Sequence, residues 1–599
     1  MRNSFILFVA LMCSVLSVEA NPVGQKKAQT VARKFLQAKK QVRVDAIPFE
    51  LSAETKSRMG ASETVTPSFY VFNSSDDAGF VIVSGDDRFP EVIGYSFDGG
   101  FSSDEGMPEA LQSFLLSMDE YVNDVRAGRA DAPLYANGVS TGTPVVEPLL
   151  TCQWNQSGPY NMYTPLVKDQ YGQDTKNHSV TGCIATAQSQ LMYRWKWPEQ
   201  GRGSMKYNSG DYGILKATFE DSTFNWSLLK DKFNAATDKK TDAGKEVSKL
   251  CYSVGLATHM RFGESSGAYD QYSLLAYYKY FRYKSSTLKR YLRDYMGSQE
   301  EWNRIIKREL NAGRPIQVAA SSSSGGGSDA GGHAFVCDGY DTVDFVHINW
   351  GWGGRYDGYY AIHLLDGGGY QFSDDQSIIV GIMPDFTGVD TLDIQIPPCV
   401  NDAPRVKGDV KSVKVGGSGD TFYIDFDSVY NRNPYSNDYM YGVGLYDKNG
   451  NFVEEASVNS TSNTFFLQAW YGFVAFTSDR GGITCKLKNS YNAGDYTLRL
   501  IFKQKNTETG KFFDGWALPY MKGGDAKNQI PVYIHDGNAY FHQVSSAIND
   551  IEGEDAQVKS VQLYDVEGRE ILSPKDGQLV IEKQTLYNGK TKTFKRVAH

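Results

Sequence analysis

Two residues of this chain have the types and settings that nucleophilic catalysis needs. One is Cys183, in Thr181-Gly182-Cys183-Ile184-Ala185-Thr186-Ala187, and the other is His333, in Gly331-Gly332-His333-Ala334-Phe335-Val336; they stand 150 residues apart. A thiol attacks carbonyls as the thiolate, and an imidazole paired with it can hold that form and later protonate a leaving group. Ile184, Ala187, Leu191 and Trp195 recur at steps of three and four before Pro198, which predicts a buried helix with Cys183 in its first turn. The free amides and positive dipole end of such a turn favour a thiolate. A free cysteine is more often a small buried apolar group. Gly182 argues against that here, because a glycine before the thiol lets a substrate backbone come close.

The same stretch offers five candidate bases. His347 and His363 alternate with apolar neighbours and read as satisfied strand residues, His259 follows a helix-like run, and His178 lies in a polar loop. His333 differs because it follows the Ser/Gly run 321–332, which cannot pack a core and reads as a mobile loop entering a strand. Trp154-Asn155-Gln156 places the Gln156 amide as a donor for a developing oxyanion. Asn349-Trp350-Gly351-Trp352-Gly353-Gly354 offers Asn349 as an acceptor for the imidazole N–H, with large aromatics beside it.

Positioning these groups takes several folded units. With 599 residues, 41% hydrophobic and 22% charged, the chain is long and apolar enough for about three to five of them. Arg2 and the apolar run Phe5 to Val18, closed by Val18-Glu19-Ala20, read as a secretory signal over 1–20. Residues 21–142 read as an α+β unit: a stripe of Ala28, Val31, Ala32, Phe35 and Leu36, strands at 68–73 and 80–84, and a second helix from Pro108 to Gly128. The Pro- and Gly-bearing stretch from Arg129 to Pro148 reads as an exposed connection open to cleavage. Residues 143–386 are helix-rich first and strand-rich after, with strands expected at 315–320, 333–340, 344–350 and 358–364; that pattern predicts an α+β domain of two lobes with a cleft between them. Residues 400–540 read as an all-β sandwich of immunoglobulin size, and 541–599 as a short β-rich end.

The net charge of −9 argues against nucleic acid as the main partner. No run after the signal approaches the ~20 apolar residues of a membrane helix. Six cysteines remain after the signal, too few for a disulfide framework, and neither a C-x-x-C nor a zinc-spaced histidine cluster calls for a metal or other cofactor.

The motifs around Gln156, Cys183, His333 and Asn349, in this order and spacing, resemble the streptopain family of secreted bacterial cysteine peptidases. The likeness covers roughly 21–386, and Gly79-Phe80-Val81-Ile82-Val83-Ser84-Gly85-Asp86-Asp87 is similar to that family's propeptide. The resemblance implies a papain-like two-lobed peptidase, with Cys183 as nucleophile and His333 as general base and acid. Gln156 and the Cys183 amide would form the oxyanion hole, and Asn349 and Trp350 would flank and orient His333. It further implies peptide or protein substrates with a bulky apolar side chain two positions before the scissile bond, and the chain's own propeptide as inhibitor. Tyr564-Asp565-Val566-Glu567-Gly568-Arg569, Asn588-Gly589-Lys590 and the basic ending Lys595-Arg596-Val597 resemble the sorting domains of type IX secretion substrates, implying contact with secretion machinery. Two other readings of the residues stand beside hydrolysis: transglutaminase-type acyl transfer, which uses the same Cys-His-Asn groups, and an inactive adhesin on a peptidase scaffold.

Overall fold

The computed structural model describes residues 22–541 apart from 41–43, 48–66, 75–78, 102–106, 134–141, 322–331, 363–375, 389–393, 427, 433–435, 470–472, 476–481 and 507–508. Beyond 541 it describes backbone strands at 558–564, 570–571, 579–586 and 591–597. The expected signal, the Asp76–Ala78 turn, most of the Ser/Gly run, His363 and the motifs at 565–569 and 588–590 lie outside the described residues.

The N-terminal unit has helices α1 (Gln25–Lys40) and α2 (Glu109–Arg126) and strands β1 (Val44–Ile47), β2 (Phe69–Ser74), β3 (Phe80–Ser84) and β4 (Val92–Ser96). Both helices carry the apolar stripes expected of them: Ala28, Phe35, Leu36, Leu111, Phe114 and Met118 are all buried. After β5 (Pro144–Val146) come α3 (Cys183–Trp195), α4 (Asp242–Ala257), α5 (Asp270–Lys279), β6 (Lys289–Leu292) and α6 (Gln299–Asn311). The strand-rich half follows, with β7 (Ile316–Ser321), β8 (Gly332–Asp341), β9 (Val346–Asn349), β10 (Gly358–Tyr360) and β11 (Ser377–Val380). The last expected strand is shorter than 358–364, ending at Tyr360.

These strands form one eleven-stranded antiparallel sheet, in the order β1-β2-β3-β4-β10-β9-β8-β7-β11-β6 with β5 beside β8. The N-terminal unit is therefore continuous with the peptidase half. Strand β4 pairs with β10, setting Tyr95 against Tyr359 and Gly94 against Tyr360. Alternation along β8 divides the interior in two. Ala334 and Val336 join the core made by the helices, with Trp154, Leu191, Val254 and Tyr277. Phe335 and Cys337 face the other way, into a core shared with Phe35, Phe80, Tyr95 and Phe114 of the N-terminal unit.

The region from Cys399 to Phe541 is all-β and has a core of its own, including Phe422, Val443, Leu500 and Val532. A seven-stranded sheet containing the long strands Asn437–Asp447 and Gly494–Gln504 lies across that core from shorter strands such as Phe422–Asp425 and Ile483–Cys485. The end of the chain forms a separate four-stranded antiparallel sheet.

Candidate active site

Cys183 is the first residue of α3, and Gly182 is its N-cap with φ 84° and ψ 146°. That left-handed φ favours glycine. A Cβ on Gly182 would lie 2.7 Å from Met260 Sδ and 2.9 Å from the Ser266 carbonyl oxygen. The glycine is thus explained by backbone conformation and close packing, a different reason from the substrate approach that the sequence suggested. The first turn of α3 carries no acidic side chain, so nothing there offsets the dipole at the thiol.

Accessibility separates this thiol from the others. Six cysteines among the described residues form no disulfide: Cys183 is half-buried, and Cys152, Cys251, Cys337, Cys399 and Cys485 are buried. Burial pushes the thiols of Cys251 and Cys399 up to about 12 and those of Cys152, Cys337 and Cys485 upward as well. These five are inert packing groups at neutral pH.

Backbone contacts clasp the segment of Gln156 to the nucleophile loop. The Thr181 N–H donates to the Gln156 carbonyl at 3.0 Å. Gln156 itself is half-buried, and its own N–H donates to Asn155 Oδ1 at 2.6 Å. The turn after β9 closes on the same place. The Gly353 N–H donates to the Trp154 carbonyl at 2.7 Å, and a Cβ on Gly351 would lie 3.0 Å from Thr186 Cγ2 of α3. Asn349 is buried: its Nδ2 donates to the Cys152 carbonyl at 2.8 Å, and its Oδ1 accepts from the Gly351 N–H at 3.0 Å. Trp350 is also buried, packs on Phe335 and Tyr360, and donates through Nε1 to the Tyr356 carbonyl at 3.0 Å. Trp352, quoted in the motif without a role, is half-buried against the same core.

His333 is the second residue of β8 and half-buried, paired with Ala320 of β7. Helix α3 lies against both strands. Strand alternation puts His333 on the face of Phe335 and Cys337, the face toward the core that the N-terminal unit completes. Cys183 instead adjoins the helical core. Backbone and side-chain bonds thus tie the Gln156 segment to the loop before Cys183 and the Asn349–Gly353 turn to Cys152 and Trp154, and His333 stands on strand β8, against which α3 packs.

The other candidate histidines among the described residues have settled environments. His347 donates through Nδ1 to Asp338 Oδ1 at 2.6 Å; burial opposes its charge, but the Asp338 carboxylate wins and raises it. His259 has φ 55° and stacks between Tyr207 and Tyr272, and burial lowers it to about 4. His178 contacts the Thr164 carbonyl through Nδ1 and is exposed. Sequence reasoning passed over Asp357, whose Oδ1 accepts the Trp350 N–H at 2.9 Å and whose pKa burial raises to about 7. The one signal for it is the Asp357-Gly358 pair closing the glycine-rich turn.

Fold and site together define the papain-like class of two-lobed cysteine peptidases. A profile of the Peptidase C10 family matches residues 154–360, and one of the Spi protease inhibitor matches residues 20–122. Streptopain of Streptococcus pyogenes is 32% identical over 397 residues, covering 61% of this chain and 95% of streptopain. The thiol protease/hemagglutinin PrtT of Porphyromonas gingivalis is 31% identical over 416 residues, covering 64% of this chain, and the chain spans 44% of the length of PrtT. A solved fragment of Prevotella intermedia prointerpain A is 28% identical, covers 54% of this chain and 98% of that one, and has a TM-score of 0.45. The chain belongs to the peptidase C10, or streptopain, family: it is a cysteine endopeptidase carrying a Spi-type inhibitor segment as its propeptide.

Proposed function

We propose that the chain is a secreted zymogen whose processed form hydrolyses peptide bonds through Cys183. His333 takes the thiol proton, and Cys183 Sγ attacks the scissile carbonyl carbon. The oxyanion is held by the Cys183 N–H and the Gln156 side-chain amide. The imidazolium of His333 protonates the departing amine, leaving an acyl-enzyme. Water, deprotonated by His333, then releases the acid and restores the thiol. Asn349 and Trp350 act by holding the turn that flanks His333. The single observation carrying this reading is that Cys183, alone among the cysteines of the described residues, is only half-buried, at a helix start clasped to the Gln156 segment. The substrates are proteins or peptides, with a bulky apolar residue preferred two positions before the cleaved bond.

Residues 21–142 serve as the inhibitory propeptide, and cutting within 129–147 begins its release. The 541–599 end is read as a secretion-sorting unit, supported by its separate antiparallel sheet; a truncation at 541 that left export unchanged would refute that role. Among the described residues no helix is long and apolar enough to cross a membrane. For the catalytic reading, Cys183→Ala should abolish casein hydrolysis and self-processing together. Full casein cleavage by that variant would overturn it.

A further inference from the structure

Thr181 and Thr186 flank the nucleophile, and both are buried at 1% exposure. Thr186 Oγ1 donates to the Gly182 carbonyl at 3.0 Å, and the Thr186 backbone N–H donates to the same oxygen at 3.0 Å. The two threonine hydroxyls are 2.8 Å apart. A hydroxyl has one proton to give. Since Thr186 gives its proton to Gly182, Thr181 must be the donor between the pair. The chain of bonds therefore has a direction: Thr181 O–H to Thr186 Oγ1, then Thr186 O–H to the Gly182 C=O.

That carbonyl belongs to the same planar peptide unit as the Cys183 N–H. Two donors on the oxygen fix the plane and hence the direction in which the N–H points, on the opposite side of the unit. Hydrogen bonds in series also polarise one another, so a carbonyl that accepts them leaves its amide a stronger donor. At the other end, the Thr181 backbone N–H holds the Gln156 carbonyl at 3.0 Å. We infer that Thr181 and Thr186 are positioning residues of the oxyanion hole, which set the Cys183 N–H and tie it to the Gln156 segment. This inference rests on the catalytic reading proposed above.

The test uses the processed enzyme and two probes of the same thiol. A peptidyl nitrile adds the Cys183 sulfur to its carbon and takes the proton on nitrogen, which then lies where the oxyanion would. Iodoacetamide alkylates the sulfur and needs no oxyanion donor. For Thr186→Val, kcat should fall about tenfold, part of the loss seen on deleting an oxyanion donor outright. KM should stay within about twofold. Nitrile affinity should fall in step with kcat, while the alkylation rate and its pH profile stay as in the unaltered enzyme. Thr186→Ser should recover most of the activity. Thr181→Val should cost less, since Thr186 still donates to Gly182. Should the Thr186 variant fold poorly, the double change Thr181→Val with Thr186→Val removes both hydroxyls at once and leaves no orphan; it should show the same kcat and nitrile losses. A folded valine variant with unchanged kcat, or with nitrile affinity and alkylation rate falling together, overturns the inference. Failure of the unaltered processed enzyme to be alkylated at Cys183 would overturn the catalytic reading and this inference with it.

Discussion

The peptidase half meets a neighbour at each end, and the two seams are built differently. On the N-terminal side the sheet runs through the boundary and the core is common to both parts. Phe101 and Phe114 pack their rings on Tyr356 and Tyr360, Tyr95 donates its hydroxyl to Asp341 at 2.8 Å, and Ser96 donates to the Asp357 carbonyl at 2.6 Å. On the C-terminal side the sandwich keeps its own core, and the contact is a small cluster of Leu292, Tyr295 and Cys399 with Tyr430 and Tyr520 beside it. A few hydrogen bonds join in, among them Tyr520 to the Arg290 carbonyl at 2.8 Å and Gly523 N–H to the Asp294 carbonyl at 3.2 Å. The first seam has the construction of a domain interior and the second that of a docked module. A cut in the 129–147 connection therefore leaves the propeptide seated until strand β4 peels from β10, whereas the sandwich depends little on its neighbour for its fold.

Tyr360→Ala strikes the first seam hardest. Tyr360 is fully buried, and truncating an aromatic there should cost about 3–5 kcal/mol. Urea unfolding of the full chain should show the propeptide–peptidase transition moved to lower urea and the sandwich transition in place; a shift of both together would erase the distinction between seams.

The next effect is one of pH. Asp357 is raised to about 7, first by burial, with Asp338 and Asp98 adding to it and His347 opposing. In the unfolded chain its carboxyl titrates at about 3.9. Between these values the folded state binds more protons, so the contribution is full below about pH 4 and is lost as pH rises through 7. His347, raised above 6.5, acts in the same sense and is lost as pH climbs through its folded value. The first transition should therefore weaken from pH 5 to pH 8, and Asp357→Asn should make it less steep. An identical slope in that variant would show that Asp357 plays no part in the pH dependence. The smallest effect belongs to the second seam: Tyr520→Phe deletes one hydrogen bond, worth about 0.5–1.5 kcal/mol of docking. Hydrogen exchange should quicken at the Tyr295 and Tyr520 contacts while the interior of the sandwich stays protected. Loss of protection throughout the sandwich would show that it leans on the peptidase after all.

Local patterns in the sequence already carried the helix behind Cys183, the amphipathic helix at 109–126 and the strand entered at His333, because each is written in the spacing of neighbouring apolar residues. Pairings over long separations were not legible. Nothing near Gly94 and Tyr95 names Tyr359 and Tyr360 as their partners, and nothing near Asn349 names the Cys152 carbonyl. Gly182 stands out in the sequence, but its packing against Met260, which accounts for it, is not written there. Thr186 passed as one more residue of a helix, since a side chain's bond back to the preceding turn leaves no mark in periodicity.

The proposed chemistry rests on Cys183, one of six cysteines among the described residues. The most direct measurement is peptide mapping by mass spectrometry of the processed protein after treatment with a peptidyl epoxide. One adduct is expected, on Cys183, with loss of activity matching its extent, and unmodified Cys152, Cys251, Cys337, Cys399 and Cys485. Inactivation accompanied by an adduct on any of those five, or full labelling of Cys183 with activity intact, would contradict it.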